Sequence, residues 1–179
     1  MEIKTRNENG IPNIVVTGFK EHGKDTACKI LHQRFGISFI TSSAYACETF
    51  LFEQMVRDGY QYRDAAECFT DRDNHRDYWY EAIRAYNGDD PARMGREIFG
   101  RVSVFCGLRH IEELQALKAE GLVDAVVWVD ACRRKPPESA GSMSIPMSKA
   151  DYVIDNNGTK KELESAITRF ARTLLPGMC

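Results

Sequence analysis

Gly18-Phe19-Lys20-Glu21-His22-Gly23-Lys24-Asp25-Thr26 is the stretch that decides the fold. A glycine, four intervening residues, then Gly-Lys is the spacing of a phosphate-binding loop. Its context fits. Residues 13–17 form a short β-rich run ahead of it. Residues 25–35 read as a helix behind it, closed by Gly36. The physics is direct: glycines let the backbone fold around a phosphate so that successive N–H groups of Gly18, Phe19, Lys20, Glu21, His22 and Gly23 point inward. The helix N-terminus adds partial positive charge. Lys24 brings a full charge to the β- and γ-phosphates of a nucleotide. Serine or threonine usually follows this lysine and ligates Mg²⁺; here Asp25 follows, with Thr26 one place on. Asp25 is a hard oxygen ligand suited to Mg²⁺. It could equally accept the proton of an attacking hydroxyl, or simply be a carboxylate on a helix's first turn. Thr26 is a second metal candidate or an α-phosphate contact.

Working outward, strands and helices alternate along the chain. Strands are expected at 37–41, 102–106, 125–129 and 152–154, and helices at 45–57, over most of 65–86, from 89–91 onward, at 111–120 and at 160–175. The strand runs are continuously apolar, which predicts burial on both faces. The expected fold is therefore α/β, a parallel sheet flanked by helices in three layers. Nucleotide-hydrolysing proteins of this kind commonly place an acid at the end of a strand beside the loop. Here 102–106 runs into Gly107, so the metal rests on Asp25 and water, or on help from Asp130.

The 179 residues are one domain's worth, 1–179. A net charge of −2 excludes a strongly basic nucleic-acid coat and a polybasic membrane binder, though not a local basic patch. No run reaches the ~18 apolar residues of a membrane helix, and the polar start reads as cytosolic. The six cysteines form no C-x-x-C pair, so free thiols are expected rather than a zinc site or a disulfide framework. Residues 133–148, rich in Pro, Ser and Gly, read as a long loop of the kind that serves as a lid.

Three matches in order along the chain carry a resemblance. They are the Gly-Lys-Asp-Thr loop, the Phe105-Cys-Gly-Leu-Arg109-His-Ile-Glu-Glu113 segment, and Asp151-Tyr-Val-Ile-Asp-Asn-Asn157-Gly158 with Leu163. Together they resemble bacteriophage deoxynucleoside monophosphate kinases of the thymidylate-kinase-like P-loop superfamily. Animal-type phosphomevalonate kinases share the Gly-Lys-Asp variant. The middle of the chain, Cys68 to Tyr80 with Tyr86-Asn87, is similar to phage kinases acting on 5-hydroxymethyluracil in DNA. The resemblance implies a nucleoside-monophosphate-kinase-like fold, ATP with Mg²⁺, and a deoxynucleotide acceptor in the cytoplasm of a phage's host. The lead acceptor is hydroxymethyluracil in DNA; the alternative is a free deoxynucleoside monophosphate. A non-catalytic nucleotide-binding switch is the competing class.

The remaining candidates each have two readings. Arg72, His75, Arg76 and Arg109 could hold an acceptor phosphate or a DNA backbone, or belong to solvated helix faces. Of Tyr78, Trp79 and Tyr80, at least one must be core, and Trp79 is the expected one. Ser42 and Ser43 follow a strand end, where they contact the acceptor or cap the next helix. Arg133 and Arg134 begin the loop where related kinases bring arginines onto the transferring phosphoryl group; otherwise they are a basic loop edge. Asn157 lies where related kinases hold adenine, and is equally natural in a strand-to-helix turn.

Overall fold

The computed structural model describes residues 10–138 and 142–174. Residues 139–141 of the expected lid lie outside the described residues. Five parallel strands form one sheet: β1 (Ile14–Thr17), β2 (Phe39–Thr41), β3 (Val104–Cys106), β4 (Ala125–Asp130) and β5 (Tyr152–Asp155), in the order β2-β3-β1-β4-β5. β1 therefore lies between β3 and β4, paired Ile14 with Val104 on one side and with Ala125 on the other.

The continuous apolar runs have the expected cause. Ile14, Val16, Val104, Cys106, Val127 and Val129 face one core, which is closed by α1 (Lys24–Phe35) and α8 (Lys160–Leu174). Val15, Phe105, Val126 and Trp128 face the other, closed by α6 (Arg93–Phe99) and α7 (Ile111–Ala119). Successive residues point to opposite faces, and both faces are covered, so no polar alternation survives. A third cluster, around Leu51, Met55, Cys68 and Trp79, lies in the helical segment between β2 and α6. Trp79 is core, as expected.

Three helices differ from the sequence reading. The helix expected at 45–57 starts at Ser42, because Thr41 Oγ1 accepts from Ala44 N at 3.0 Å. Thr41 is thus the cap, not Ser42 or Ser43. This α2 (Ser42–Ala46) passes through one π turn, Cys47–Leu51, into α3 (Phe52–Arg57). The helix expected over 65–86 is broken into α4 (Ala65–Thr70), a 3₁₀ turn (Asp71–Asp73) and α5 (Arg76–Asn87). Asp71 causes the break: its carboxylate accepts from Tyr62 Oη at 2.8 Å and Asn74 Nδ2 at 2.5 Å, local bonds that compete with the helix. The helix expected from 89–91 begins later, at Arg93, because Asp90 Oδ1 accepts from Ala92 N at 3.2 Å and holds Pro91 in a turn.

The glycine loop leaves the carboxyl end of β1, where open parallel sheets bind ligands. Its first glycine is fixed by a close approach. Gly18 has φ 137°, and a Cβ there would lie 2.5 Å from the Val129 carbonyl oxygen of β4. That oxygen belongs to the central sheet and cannot rotate away. Gly18→Ala is expected to cost about 3 kcal/mol of stability through strain and overlap, read as a lower urea midpoint. An unchanged midpoint would show that β4 yields.

Candidate active site

The loop is held from behind by two buried polar residues. His22 is fully buried. Its Nδ1 accepts from Ala131 N at 3.0 Å, so Nε2 carries the proton and donates to the Lys135 carbonyl at 3.2 Å. Asn156 Nδ2 donates to the His22 carbonyl at 2.8 Å, while Asn156 N donates to the Asp130 carbonyl at 2.7 Å. Gly23, at φ 93°, is where Asn156 comes closest: a Cβ there would meet its Nδ2 at 2.3 Å. Glu21, at φ 61°, is the only non-glycine with positive φ among the described residues. Phe19 packs edge-on against Trp128 and His22. The side chains of Phe19 and His22 thus anchor the loop, leaving its backbone to meet a ligand.

In front of the loop lies a cavity of about 530 Å³. Lys20, Glu21, Gly23, Lys24, Asp25 and Thr26 border it on one side. Lys24 is only 8 % exposed, and its Nζ donates to the Phe19 carbonyl at 2.7 Å. Burial, followed by repulsion from Arg109, pulls its pKa below the ordinary lysine value. Asp25 is exposed at the end of β3, where Cys106 Sγ donates to its Oδ1 at 3.5 Å. Gly107 adjoins it, with Ser42 Oγ donating to the Gly107 carbonyl at 3.3 Å. The sequence lacked an acid at this strand end; Asp25 supplies one there. Asp25 and Thr26 together offer hard oxygen atoms beside Lys24, a donor set that fits Mg²⁺. Asp130 does not line this cavity. It sits beside His22 and accepts from Asn157 Nδ2 at 3.1 Å.

The opposite side carries Arg72, Arg76 and Arg109, with Ser42 and Ser43 at the end of β2. Arg72 lies 4.3 Å over the Phe69 ring and donates to the Phe69 carbonyl at 2.9 Å. His75 is not brought to the site. It pairs with Asp71 at 2.9 Å and packs on Tyr60, which makes it part of the break before α5.

One feature that sequence reasoning missed is Glu138. It lies in the described part of the 133–148 loop, and it reaches both sides of the cavity at once. Its Oε2 accepts from Lys20 N of the glycine loop at 2.5 Å and from Arg109 at 2.9 Å, and its Oε1 accepts from Arg76. Burial works against its charge. Arg109, the Lys20 N–H and Arg76 outweigh that and hold the carboxyl below the usual carboxylate range. Lys135 adds an ion pair to Glu21 at 2.7 Å. The loop is thereby stitched to the glycine loop. The only sequence signal was that Glu138 is the single acid between Arg133 and Ser148.

Arg133 and Arg134 do not line this cavity. Arg133 pairs with Asp155 at 2.9 Å, and Arg134 Nε donates to the Asn156 carbonyl at 2.7 Å. Asn157 Oδ1 accepts from Arg133 N at 2.8 Å. Arg133 and Asn157 border a separate groove beside β5 and α8.

No family model matches the chain, and no curated protein matches it. Among solved structures, it is similar to shikimate kinase from Bacteroides thetaiotaomicron (TM-score 0.54, 14 % identity, 91 % of this chain and 98 % of that one). The shikimate kinase of Aquifex aeolicus gives TM-score 0.51 at 15 % identity over 92 % and 99 %. That of Acinetobacter baumannii, solved in complex with shikimate, gives 0.50 at 14 % over 93 % and 94 %. These likenesses establish the fold as that of the P-loop kinases with a nucleoside-monophosphate-kinase-like sheet. Among the described residues, no helix is long and apolar enough to cross a membrane.

The Glu138 carboxylate is clamped by one loop N–H and two guanidinium groups, the donors a bound anion would use. Glu138→Ala is expected to tighten binding of inorganic phosphate several-fold by calorimetry, because the anion no longer displaces an internal competitor. Unchanged or weaker binding would show that Glu138 assembles the site instead of filling it.

Proposed function

We propose that the chain is an ATP-dependent phosphotransferase whose acceptor is a mononucleotide. The observation that carries this reading is Glu138. One carboxylate touches both the glycine-loop backbone and the arginines across the cavity, so donor-side and acceptor-side groups converge on a single anion position. That convergence is what in-line phosphoryl transfer needs.

In this reading the N–H groups of residues 18–23 and Lys24 hold the β- and γ-phosphates of ATP. Asp25, with Thr26, would hold Mg²⁺, which when bound neutralises charge building on the phosphate oxygens. Arg109 and Arg76 release Glu138 and take up the acceptor's anion and the charge spread over the transferring group. Lys24, kept partly dehydrated by burial, meets that charge in a low-dielectric setting where it acts more strongly. The nucleoside of ATP runs toward Arg133, Arg134 and Asn157. Arg133 and Arg134 then frame the nucleotide and are not the charge-stabilising pair.

The acceptor side supports a nucleotide over a polyol. Phe69, Trp79, Tyr80, Ile83 and Leu108 line it together with the arginines, and aromatic walls suit a flat base beside an anion. The cavity volume lies in the ordinary range for small-molecule pockets, roughly 300–1,000 Å³. Hydroxymethyluracil in DNA shares these requirements but must also place a strand at the cavity mouth, so both acceptors belong in one assay.

The test supplies γ-labelled ATP and Mg²⁺ with, in parallel, deoxynucleoside monophosphates, hydroxymethyluracil-containing duplex DNA, and shikimate. Label in a deoxynucleoside diphosphate is expected. Label only in DNA or only in shikimate would replace the acceptor, and label in none would leave a nucleotide-binding switch. Lys24→Ala is expected to reduce transfer by at least about 10²-fold while leaving the thermal midpoint close to wild type. Asp25→Asn is expected to lower the rate and raise the Mg²⁺ concentration needed for half-maximal activity. An unchanged Mg²⁺ titration would reduce Asp25 to a helix-end carboxylate.

A further inference from the structure

The cavity has a second polar end. Glu113 lines it and is only 9 % exposed, although it stands in the first turn of α7, where a glutamate is normally solvated. No salt-bridge partner accompanies it among the described residues. Its Oε1 accepts from Asn87 Nδ2 at 2.8 Å. Asn87 is itself buried, and its Oδ1 accepts from Met94 N at 3.1 Å. That second bond fixes which way the amide faces: its NH₂ must point at Glu113. Burial, against the Asn87 bond and with Glu112 nearby, raises the Glu113 carboxyl to about 7.

An ionisable group buried without a counter-charge costs stability. Structural need alone does not explain it, since a glutamine would accept the same Asn87 bond and tie α5 to α7 without a titratable group. Arg76, Tyr80, Ile83 and Arg84 of α5 all line the cavity. Asn87 continues that face at the helix's far end, about 16 Å of helix rise from Arg76. The cavity wall thus runs along α5 from Arg76 past Tyr80, Ile83 and Arg84 to the oriented carboxyl of Glu113.

We propose that Glu113, positioned by Asn87, is the specificity-determining residue of the acceptor site and accepts a hydrogen bond from an N–H donor on the edge of the acceptor's base. This rests on the mononucleotide reading above and adds to it the part of the nucleotide that is read. The acceptor's anion goes to Arg76 and Arg109, its ring lies along the wall formed by Tyr80 and Ile83, and its donating edge meets Glu113. A site that must receive a donor discriminates strongly, because an edge without one leaves a buried polar group unpaired.

The geometry gives an unusually sharp substitution. In Glu113→Gln, Asn87 still demands an acceptor, so the glutamine carbonyl takes that bond and its NH₂ replaces Oε2. The subsite is inverted from accepting to donating while the bond between α5 and α7 survives. The experiment measures equilibrium binding without ATP, by calorimetry and by fluorescence of Trp79 in the cavity wall. The probes are the monophosphates of deoxythymidine, deoxycytidine, deoxyadenosine and deoxyguanosine, and 2-deoxyribose 5-phosphate, which keeps the anion and sugar but has no base.

Wild type is expected to bind its preferred nucleotide at least about tenfold more tightly than the sugar phosphate. Glu113→Gln is expected to lose that margin and change the rank of the bases, with sugar-phosphate affinity altered by no more than about twofold. Equal constants for all four nucleotides in both proteins overturn the proposal. A wild type that binds no nucleotide more tightly than the sugar phosphate also overturns it, and that comparison does not depend on the variant folding. The failure of the kinase reading looks different. Nucleotide binding that depends on Glu113 but leads to no phosphoryl transfer sinks the kinase and keeps the site; transfer with binding indifferent to Glu113→Gln does the reverse.

Discussion

The approach of the glycine loop to the carboxyl ends of β4 and β5 is the constraint on which the rest depends. Gly18 rests on the Val129 carbonyl, and Gly23 lies against Asn156. Between them His22 is swallowed by the fold and bonded through both ring nitrogens. Neither glycine leaves room for a Cβ, so the loop's path is dictated by the sheet and by the turn after β5. A backbone held this way keeps its N–H groups in place before any ligand arrives, which is the preorganisation that electrostatic catalysis draws on. The same contacts fix where Lys24 begins α1 and where Asp25 meets the end of β3.

Much of this was legible locally. The spacing of Gly18, Gly23 and Lys24 needs only the sequence, and strands buried on both faces announce themselves as runs such as 125–129. The break before α5 was not legible, because the 65–86 stretch has helical periodicity. What ends the helix is Asp71 finding Tyr62 and Asn74, side-chain bonds that compete with backbone ones. His75 was left open for the same reason: a histidine among arginines reads as a phosphate contact or as part of a helix face, and only the structure shows Asp71 beside it. Asn156, and not its neighbour Asn157, braces the loop; the two are indistinguishable in sequence and differ only in which faces inward.

Glu138 and Glu113 were illegible for another reason. Each meaning comes from partners far away in the chain: Lys20, Arg76 and Arg109 for one, Asn87 for the other. A lone acid in a Pro- and Ser-rich loop reads as solvated, and a glutamate in a helix's first turn reads as a favourable dipole contact. Only the fold turns the first into a clamp and buries the second. The arginines show the converse. Arg72, Arg76 and Arg109 do converge, although the helix is interrupted between the first two, whereas Arg133 and Arg134 are drawn off by Asp155 and the Asn156 carbonyl.

These pairings explain how a chain of net charge −2 keeps several cations around one cavity. Arg76 and Arg109 are answered by Glu138, Lys20 by Asp73, and Lys24 by the Phe19 carbonyl. Unpaired, such groups would repel one another and disfavour the compact state. Paired, they change what binding an anion means energetically. In the reading proposed above, a phosphate entering between Arg76, Arg109 and the Lys20 N–H would replace a carboxylate already stripped of part of its water. The cost of dehydrating the guanidinium groups has been met in folding, and the released Glu138 regains its hydration. Binding becomes an exchange of one oxyanion for another, favourable to the extent that phosphate carries more charge and more acceptor oxygens than the carboxylate it displaces. Because Glu138 belongs to the loop stitched over the glycine loop, that exchange also frees one of the loop's attachments. In the proposed reading, occupancy of the anion site is therefore linked to the attachment of residues 133–138 through a single side chain.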